Sequence, residues 1–223
     1  MNRAVKRRQK KTAKKTAIRS SSQPSPSTQQ AIELALQHHN AGRLPEAENI
    51  YQQILNTDPK HPVALHLLGV VAHQVGKDEV AVDLISKALS IMPDYVQAYS
   101  NLGTALKELG RLDEAVTSYH KALAMKPDYA EAHNNLGDAL HELGKLDEAV
   151  ASCQKALAIK PNFAEAHNNL GNTFKELGKL DEAAASHHKA LAIKPDYAEA
   201  HNNLGTVLQN QGLLDEAVAS YHK

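Results

Sequence analysis

The sequence predicts an all-α solenoid, which is a stack of antiparallel helix pairs repeated along the chain. A period of 34 residues runs from residue 28 to residue 223, and periods of this size are typical of repeat architectures. Within each period, apolar residues recur at helical spacing. The chain is 42% hydrophobic but has two Phe and no Trp. Its core must therefore be built mainly from Ala and Leu, as in close-packed helices.

Landmark residues define the register of the repeats. The stretch AEAHNNLG begins at positions 130, 164 and 198. Four further series keep the same step of 34 residues: Gly69, Gly103, Gly137, Gly171, Gly205; Gly42, Gly76, Gly110, Gly144, Gly178, Gly212; Pro59, Pro93, Pro127, Pro161, Pro195; and Ala47, Ala81, Ala115, Ala149, Ala183, Ala217. They divide the chain into repeats 28–61, 62–95, 96–129, 130–163 and 164–197, and a partial repeat 198–223.

Each repeat is predicted to hold two helices, as repeat 130–163 illustrates. Asp128 and Glu131 are predicted to form a capping box at the start of the first helix, and Gly144 a left-handed cap at its end. Acidic residues lie in the first turn of the second helix, and the helix ends before Pro161. The predicted buried residues are Ala132, Leu136, Ala139, Leu140 and Leu143 on the first helix, and Leu146, Ala149, Val150, Cys153, Ala156, Leu157 and Ile159 on the second. Gly137 and Ala149 are small because the two helices must approach closely there.

The segment before the repeats has a different composition. Residues 1–30 contain nine basic side chains and no acidic one, which leaves 16 basic and 25 acidic residues, a net charge of −9, in the remainder. We predict that residues 1–27 form a disordered basic, Ser- and Pro-rich tail. The tail either binds nucleic acid or an anionic surface, or is a solvated segment that aids solubility or contacts the acidic repeats. No aromatic residues are interleaved for stacking on bases, which favours the second interpretation.

The landmarks of residues 28–223 resemble those of the tetratricopeptide repeat family, because Leu136–Gly137, Ala149, Ala156 and Pro161 stand in the hallmark positions of that family. The resemblance implies a right-handed superhelical solenoid with a concave inner surface formed by the first helix of each pair. It also implies that a partner polypeptide or substrate protein binds in the concave groove.

A set of polar residues on the first helices is the candidate site. Asn101, Asn135, Asn169 and Asn203 occupy one position in four successive repeats, and each amide offers a donor and an acceptor to a peptide backbone. The array is similar to the superhelix of the O-linked N-acetylglucosamine transferases, whose asparagine ladder lies at this position and holds substrate polypeptide. Glu33 and Leu67 depart from the pattern in the first two repeats. The other candidate groove residues are Asn134, Asn168, Asn202, Glu131, Glu165, Glu199, Lys107 and Lys175.

Other interpretations of these residues stay open. The asparagines could instead cap a helix, bridge neighbouring helices or be inherited by duplication, although exposed asparagine in the middle of a helix is otherwise unfavourable. Three histidines at one position, His133, His167 and His201, could indicate a metal. They lie on separate helices with no second ligand one turn away, so packing is favoured and no metal or cofactor is expected. Cys153 is predicted to be a buried, inert thiol.

No catalytic motif occurs in these residues, so we expect a protein interaction scaffold and not an enzyme. The alternative is the substrate-presenting, N-terminal part of a larger glycosyltransferase or other transferase, because Lys223 falls within the second helix of the last repeat.

The opening MNRAVKRR resembles starts of bacterial repeat proteins. A single cysteine predicts a reducing compartment, and no apolar run approaches the length of a membrane span, so a cytoplasmic location is expected. The oligomeric state does not follow from the sequence.

Overall fold

A computed structural model describes residues 27–223. The predicted tail therefore lies outside the described residues, apart from Ser27, which caps the first helix. The described residues form twelve α-helices and no β-strand: α1 (Thr28–Asn40), α2 (Leu44–Thr57), α3 (Pro62–Gln74), α4 (Asp78–Ile91), α5 (Val96–Glu108), α6 (Leu112–Met125), α7 (Ala130–Glu142), α8 (Leu146–Ile159), α9 (Ala164–Glu176), α10 (Leu180–Ile193), α11 (Ala198–Asn210) and α12 (Leu214–Tyr221).

The helices stack in one linear series. Each odd-numbered helix packs against the even-numbered helix that follows it, and that helix packs against the next odd-numbered one. From α3 onward, neighbouring odd-numbered helices also approach each other, whereas the even-numbered helices are spread further apart. The stack therefore curves with the odd-numbered helices on its inner side. This is the right-handed superhelical solenoid of antiparallel helix pairs that the sequence predicts.

The helix ends show one correct prediction and one error. Six glycines, including Gly144, have φ between 71° and 81°, so each supplies the left-handed cap that follows an odd-numbered helix. The predicted capping box at Asp128 is wrong. Helix α7 begins at Ala130, its N-cap is Tyr129, and no side chain caps it. Asp128 lies in the preceding turn, one residue too early to reach the free amides of the first turn.

The two helices of a repeat are held together by contact at a glycine. A Cβ placed on Gly137 would lie 2.6 Å from Cys153 Sγ and 3.2 Å from the carbonyl oxygen of Ala149, which confirms the predicted close approach. Ala132, Leu136, Ala139 and Leu140 are buried as predicted, as are Ala149, Cys153 and Ala156. Ile159 is 40% exposed, contrary to the prediction, because it is the last residue of α8 and faces an open concave surface between α6 and α8.

None of the helices in residues 27–223 is both long enough and apolar enough to cross a membrane.

Candidate functional site

The predicted site residues lie along the inner side of the stack. We call the polar side chains of α5, α7, α9 and α11 on this side the odd-helix face. Polar contacts between successive odd-numbered helices show that these side chains share one surface. Lys107 Nζ donates to Asp138 Oδ2 over 2.8 Å, and His141 Nε2 lies 3.1 Å from Glu176 Oε1. Asn168 Nδ2 donates to Glu199 Oε1 over 2.8 Å.

The asparagine ladder forms hydrogen bonds within the protein. Each of three ladder amides donates from Nδ2 to the odd-numbered helix before it: Asn101 to His66 Nε2 over 2.8 Å, Asn169 to Asn134 Oδ1 over 3.1 Å, and Asn203 to Asn168 Oδ1 over 3.1 Å. The fourth, Asn135, accepts from its neighbour Asn134 over 3.3 Å. The helix-bridging interpretation of the ladder is therefore realised in the fold.

Part of each ladder amide nevertheless stays available. All four ladder residues are half-buried. The Oδ1 atoms of Asn101, Asn169 and Asn203 accept no hydrogen bond within residues 27–223. In these three amides one N–H is used between helices, and an acceptor remains on the inner surface. The ladder thus connects the repeats and still offers oxygen atoms to a ligand.

Two of the three asparagines next to the ladder are buried, whereas the sequence predicts all three on the open inner face. Asn134 is 7% exposed and Asn168 is completely buried, while Asn202 is exposed. Asn168 Oδ1 lies 3.1 Å from His187 Nδ1 on α10 and also accepts from Asn203. Its side chain therefore turns into the interface between helices, where it joins α9, α10 and α11.

His187 is a buried histidine with one nitrogen left without a partner. Burial lowers the pKa of His187 to about 4, so the ring is neutral near pH 7. Because Asn168 Oδ1 can only accept, His187 Nδ1 carries the proton and Nε2 carries a lone pair. Neither Nε2 nor the nearby Asn172 Oδ1, both buried, has a hydrogen-bond partner in the described part of the chain.

Equivalent residues show where His187 Nε2 points. Tyr119 occupies the same position in repeat 96–129, and its hydroxyl lies 3.2 Å from Thr104 Oγ1 on the inner side of α5. The hydroxyl of Tyr221 lies 3.3 Å from Thr206 Oγ1 on α11. The His187 ring lies against Gly171 in the same way. Its Nε2 therefore faces the odd-helix face at Asn172, which has the repeat position of both threonines.

The sequence reasoning missed His66. Its side chain is buried, its Nδ1 lies 2.8 Å from the Tyr95 hydroxyl, and its Nε2 accepts from Asn101. Burial lowers the pKa of His66 to about 4, so this histidine is also neutral near pH 7. The repeat register could have found it, because residue 66 has the position that Asn134 and Asn168 occupy later in the chain.

The charged residues of the odd-helix face are mainly acidic. Lys107 is 2.8 Å from Asp138, 3.2 Å from Glu142 and 3.7 Å from Glu108. Burial lowers the pKa of Lys107, but the hydrogen bonds and charges of Asp138 and Glu142 raise it above its usual range. Glu131 lies 3.1 Å from Lys160. Within residues 27–223, Glu165 and Lys175 form no ion pair.

The three repeated histidines pack against the turns that precede their helices. Nε2 of His133, His167 and His201 lies 2.9, 3.1 and 2.9 Å from the carbonyl oxygens of Pro127, Pro161 and Pro195. In the described residues no three His, Cys, Asp or Glu side chains are grouped as they would be around a metal ion. Cys153 is buried as predicted, and burial raises the pKa of its thiol to about 12, so the thiol is protonated and unreactive.

A second concave surface lies on the outer side of the stack. A cavity of about 760 Å³ separates α6 from α8 over part of α7. Leu123, Leu136 and Ile159 supply apolar lining, and His120 and Lys155 supply polar groups. No pattern in the sequence indicates this cavity, because its walls come from helices of different repeats.

The stacked helix pairs and the polar stripe along their inner side define an α-helical repeat solenoid. Four family models match the chain, three described as Tetratricopeptide repeat, over residues 29–53, 100–163 and 152–185, and one as TPR repeat, over residues 171–212. The chain belongs to the tetratricopeptide repeat family. None of the four models is of an enzyme family. A comparison with curated proteins gives no match.

Solved structures share the fold. TTC0263, a thermophilic TPR protein in Thermus thermophilus, is 26% identical with a TM-score of 0.68, and the match covers 82% of this chain and 100% of that one. YrrB, described as a TPR protein with an unusual peptide-binding site, is 26% identical with a TM-score of 0.62, and 76% and 88% of the two chains are covered. PilW, a type IV pilus biogenesis factor, is 24% identical with a TM-score of 0.80 and coverage of 87% and 90%. At that identity the likeness to PilW shows the fold alone.

Proposed function

We propose that this chain is a scaffold that binds an extended segment of a partner polypeptide along the odd-helix face. The observation that carries the proposal is the ladder of free oxygen acceptors on Asn101, Asn169 and Asn203. A peptide backbone offers one N–H per residue, so such a ladder binds many sequences. The fold is that of a family whose member YrrB is described as having a peptide-binding site.

The residues assigned to this groove fall into two groups. Asn101, Asn135, Asn169 and Asn203 would hold the peptide backbone. Charged side chains along the stripe would select among peptides by charge: Glu131, Glu165, Glu199, Lys107 and Lys175. Asn134 and Asn168 act by positioning the ladder, since they are buried beneath it, and Asn202 lies at the exposed edge.

We further propose a cytoplasmic location, which the single buried cysteine supports. A reducing compartment would keep this thiol free. The transferase alternative stays a prediction, because no observation on the described residues favours it. The family of the chain agrees with a role as a binding scaffold.

A panel of labelled peptides tests the proposed groove. Four fluorescein-labelled peptides would share a Gly–Ser scaffold and differ in every fourth residue, which is Lys, Glu, Leu or Ser. Fluorescence anisotropy would measure their affinity for the chain and for a variant with all four ladder asparagines changed to Ala. Each lost amide should weaken binding by about 0.5–1.5 kcal/mol, so the four together should weaken it by about 2–6 kcal/mol, which is roughly 30-fold or more.

The control separates binding from stability. The ladder variant should also be less stable, because three of its amides bridge helices, so affinity is measured at a temperature at which thermal melts show both proteins folded. The loss should be similar for the Lys and Ser peptides, because the contacts are to backbone. A large loss of stability with unchanged affinity would show that the ladder is only structural. Failure of all four peptides to bind both the chain and a variant in which the nine basic residues of positions 1–26 are changed to Gln would contradict the proposed groove itself.

A further inference from the structure

The polar atoms left without partners at the centre of the odd-helix face are acceptors. His187 is completely buried and its unprotonated Nε2 has no partner, nor has the buried Asn172 Oδ1. The free oxygens of the Asn169 and Asn203 ladder amides lie on the flanking helices α9 and α11. Unpaired buried acceptors destabilise a protein, and a ligand donor reaches these two only when the side chains that cover them move aside. The acceptors of this part of the face that are open to a ligand rich in N–H donors are the oxygens of the half-buried ladder asparagines.

The charge of the face favours a cationic ligand. The stripe on α5, α7, α9 and α11 has two lysines, Lys107 and Lys175, against seven carboxylates: Glu108, Glu131, Asp138, Glu142, Glu165, Glu176 and Glu199. Lys107 is already surrounded by three of these acids. The stripe therefore has an excess of negative charge and free hydrogen-bond acceptors. It is complementary to an Arg- and Lys-rich polypeptide, since guanidinium and ammonium groups only donate hydrogen bonds.

We propose that the odd-helix face binds the basic segment of this same chain, residues 1–26, and that the segment competes there with partner polypeptides. The segment has nine Arg and Lys side chains and no acidic residue, so its charge is opposite to that of the face. The proposal rests on the proposed function in that both assign ligand binding to this face.

The covalent connection is long enough for binding within one molecule. A chain of 26 residues reaches at most about 85 Å. Packed helices lie about 8–10 Å apart, so α9, four odd-numbered helices after α1, is on the order of 40 Å away. A tethered segment acts at an effective concentration in the millimolar range. The segment would therefore occupy the face unless a partner binds more tightly.

The test uses the complete chain and a synthetic copy of its basic segment. A labelled peptide of residues 1–26 would be titrated into the chain and into a tail-neutral variant, in which all nine basic residues of the segment are changed to Gln. The free face of the tail-neutral variant should bind the peptide at least 10-fold more tightly than the wild-type chain. A peptide with the same nine changes should bind neither protein. Equal affinity of the basic peptide for both proteins would overturn the proposal.

Two matched sets of substitutions locate the binding surface. In the tail-neutral variant, the changes Glu131→Gln, Glu165→Gln and Glu199→Gln on the odd-numbered helices should weaken peptide binding at least 10-fold. The changes Glu148→Gln, Glu182→Gln and Glu216→Gln remove the same charge from exposed positions on even-numbered helices and should alter affinity less than twofold. An equal loss for both sets would show general attraction to an acidic protein and overturn the assignment to this face.

A double substitution tests whether His187 Nε2 and Asn172 Oδ1 contribute to peptide binding. His187→Tyr combined with Asn172→Thr recreates the Tyr119–Thr104 pair and removes both free acceptors. In the tail-neutral variant this double change should weaken the peptide of residues 1–26 by at least threefold. Unchanged affinity would show that these atoms take no part. If the Gly–Ser peptides bind the chain but the peptide of residues 1–26 does not bind the tail-neutral variant, this proposal fails while the proposed function stands.

Discussion

At the scale of single residues, one glycine in each repeat from 62–95 onward determines how closely the two helices approach. Gly137 faces Cys153, Gly103 faces Tyr119, and Gly171 faces His187. The large partner lies directly over the glycine, so the ring or sulfur fills the space that a Cβ would take. The identity of the partner varies, whereas the glycine is present at each of these contacts.

Gly137→Ala should therefore destabilise the protein. The added Cβ would meet Cys153 Sγ at 2.6 Å and two backbone atoms of α8 at 3.2 and 3.3 Å. Overpacking costs about 1–3 kcal/mol, and the better helix propensity of Ala offsets up to about 1 kcal/mol of this. Chemical denaturation should show a net loss of about 1–2 kcal/mol.

A second substitution provides the control for Gly137→Ala. Cys153→Ala removes the sulfur, so the double variant should lose less stability than the sum of the two single variants, with a coupling of about 0.5 kcal/mol or more. Strict additivity would contradict the view that this contact limits the approach of α7 and α8.

The buried His187 should make stability depend on pH. Burial lowers the pKa of His187 from 6.5 to about 4 in the folded chain. The unfolded state therefore binds more protons between these values, and stability falls as the pH drops from about 6.5 to about 4. At pH 5 this one residue should account for a loss of about 2 kcal/mol relative to pH 7. Denaturation at the two pH values measures the difference.

Substitution assigns that loss to His187. The double change His187→Tyr with Asn172→Thr removes the titrating ring, so the loss between pH 7 and pH 5 should shrink by about 2 kcal/mol. His188→Tyr changes an exposed neighbour and serves as the control. His66, whose pKa is also about 4 because of burial, contributes in the same window and should remain. An unchanged pH dependence in the double variant would show that His187 is not kept neutral by the fold.

At the scale of helices, the inner polar side chains connect one odd-numbered helix to the next. Asn169 on α9 donates to Asn134 on α7, and Asn203 on α11 donates to Asn168 on α9. Such bonds add a second contact between repeats, beside the apolar contact of each even-numbered helix with the following odd-numbered one. The ladder thus contributes to the relative position of successive repeats.

Asn169→Ala should show the strength of one of these connections. The change leaves Asn134 Oδ1 without its donor in a side chain that is 7% exposed. A buried acceptor without a partner costs about 1–3 kcal/mol, and the helix propensity of Ala offsets about half a kcal/mol. Thermal or chemical denaturation should give a net loss of about 1–2 kcal/mol. Asn202→Ala, at an exposed position, should be neutral or slightly stabilising. Equal effects of the two changes would argue against the bridge.

At the scale of the whole molecule, the stability of a linear repeat array is approximately the sum of the stability of each repeat and of the contacts between neighbouring repeats. The described end of the array at α12 has weaker contacts than the centre. Helix α12 has eight residues, and Leu214, Val218 and Tyr221 are 62%, 54% and 43% exposed. Tyr119, the equivalent of Tyr221 in repeat 96–129, is completely buried. Less apolar area is removed from water at α12, so the helix is held less firmly.

Hydrogen exchange should reveal this difference. A helix of eight residues is marginal without packing, so the amides of α12 should exchange much faster than those of α7 in the monomer. Mass spectrometry after proteolysis resolves the two helices. Sedimentation at the same concentration provides the control for self-association, which could protect α12. Equal protection of α12 and α7 in a demonstrated monomer would contradict this expectation.

The sequence by itself determined the helix pairs and their order. The 34-residue period, the apolar spacing and the six glycines with positive φ follow from local chemistry that every repeat shares, so one repeat predicts the others. The error at Asp128 is also local, because a side chain one residue out of position cannot cap. The buried partners of the glycines could be predicted too, since the repeat register aligns Tyr119, Cys153 and His187.

Only the tertiary structure decided which polar residues face inward and what they bind. Asn134, Asn168 and Asn169 belong to one helical stripe in sequence, yet two are buried and one is half-buried. The bonds of Asn101 with His66 and of Asn168 with His187 join residues 35 and 19 apart, and they depend on the distance between neighbouring helices. Residue spacing defines the direction of a side chain on its own helix, but its burial depends on the helices packed against it.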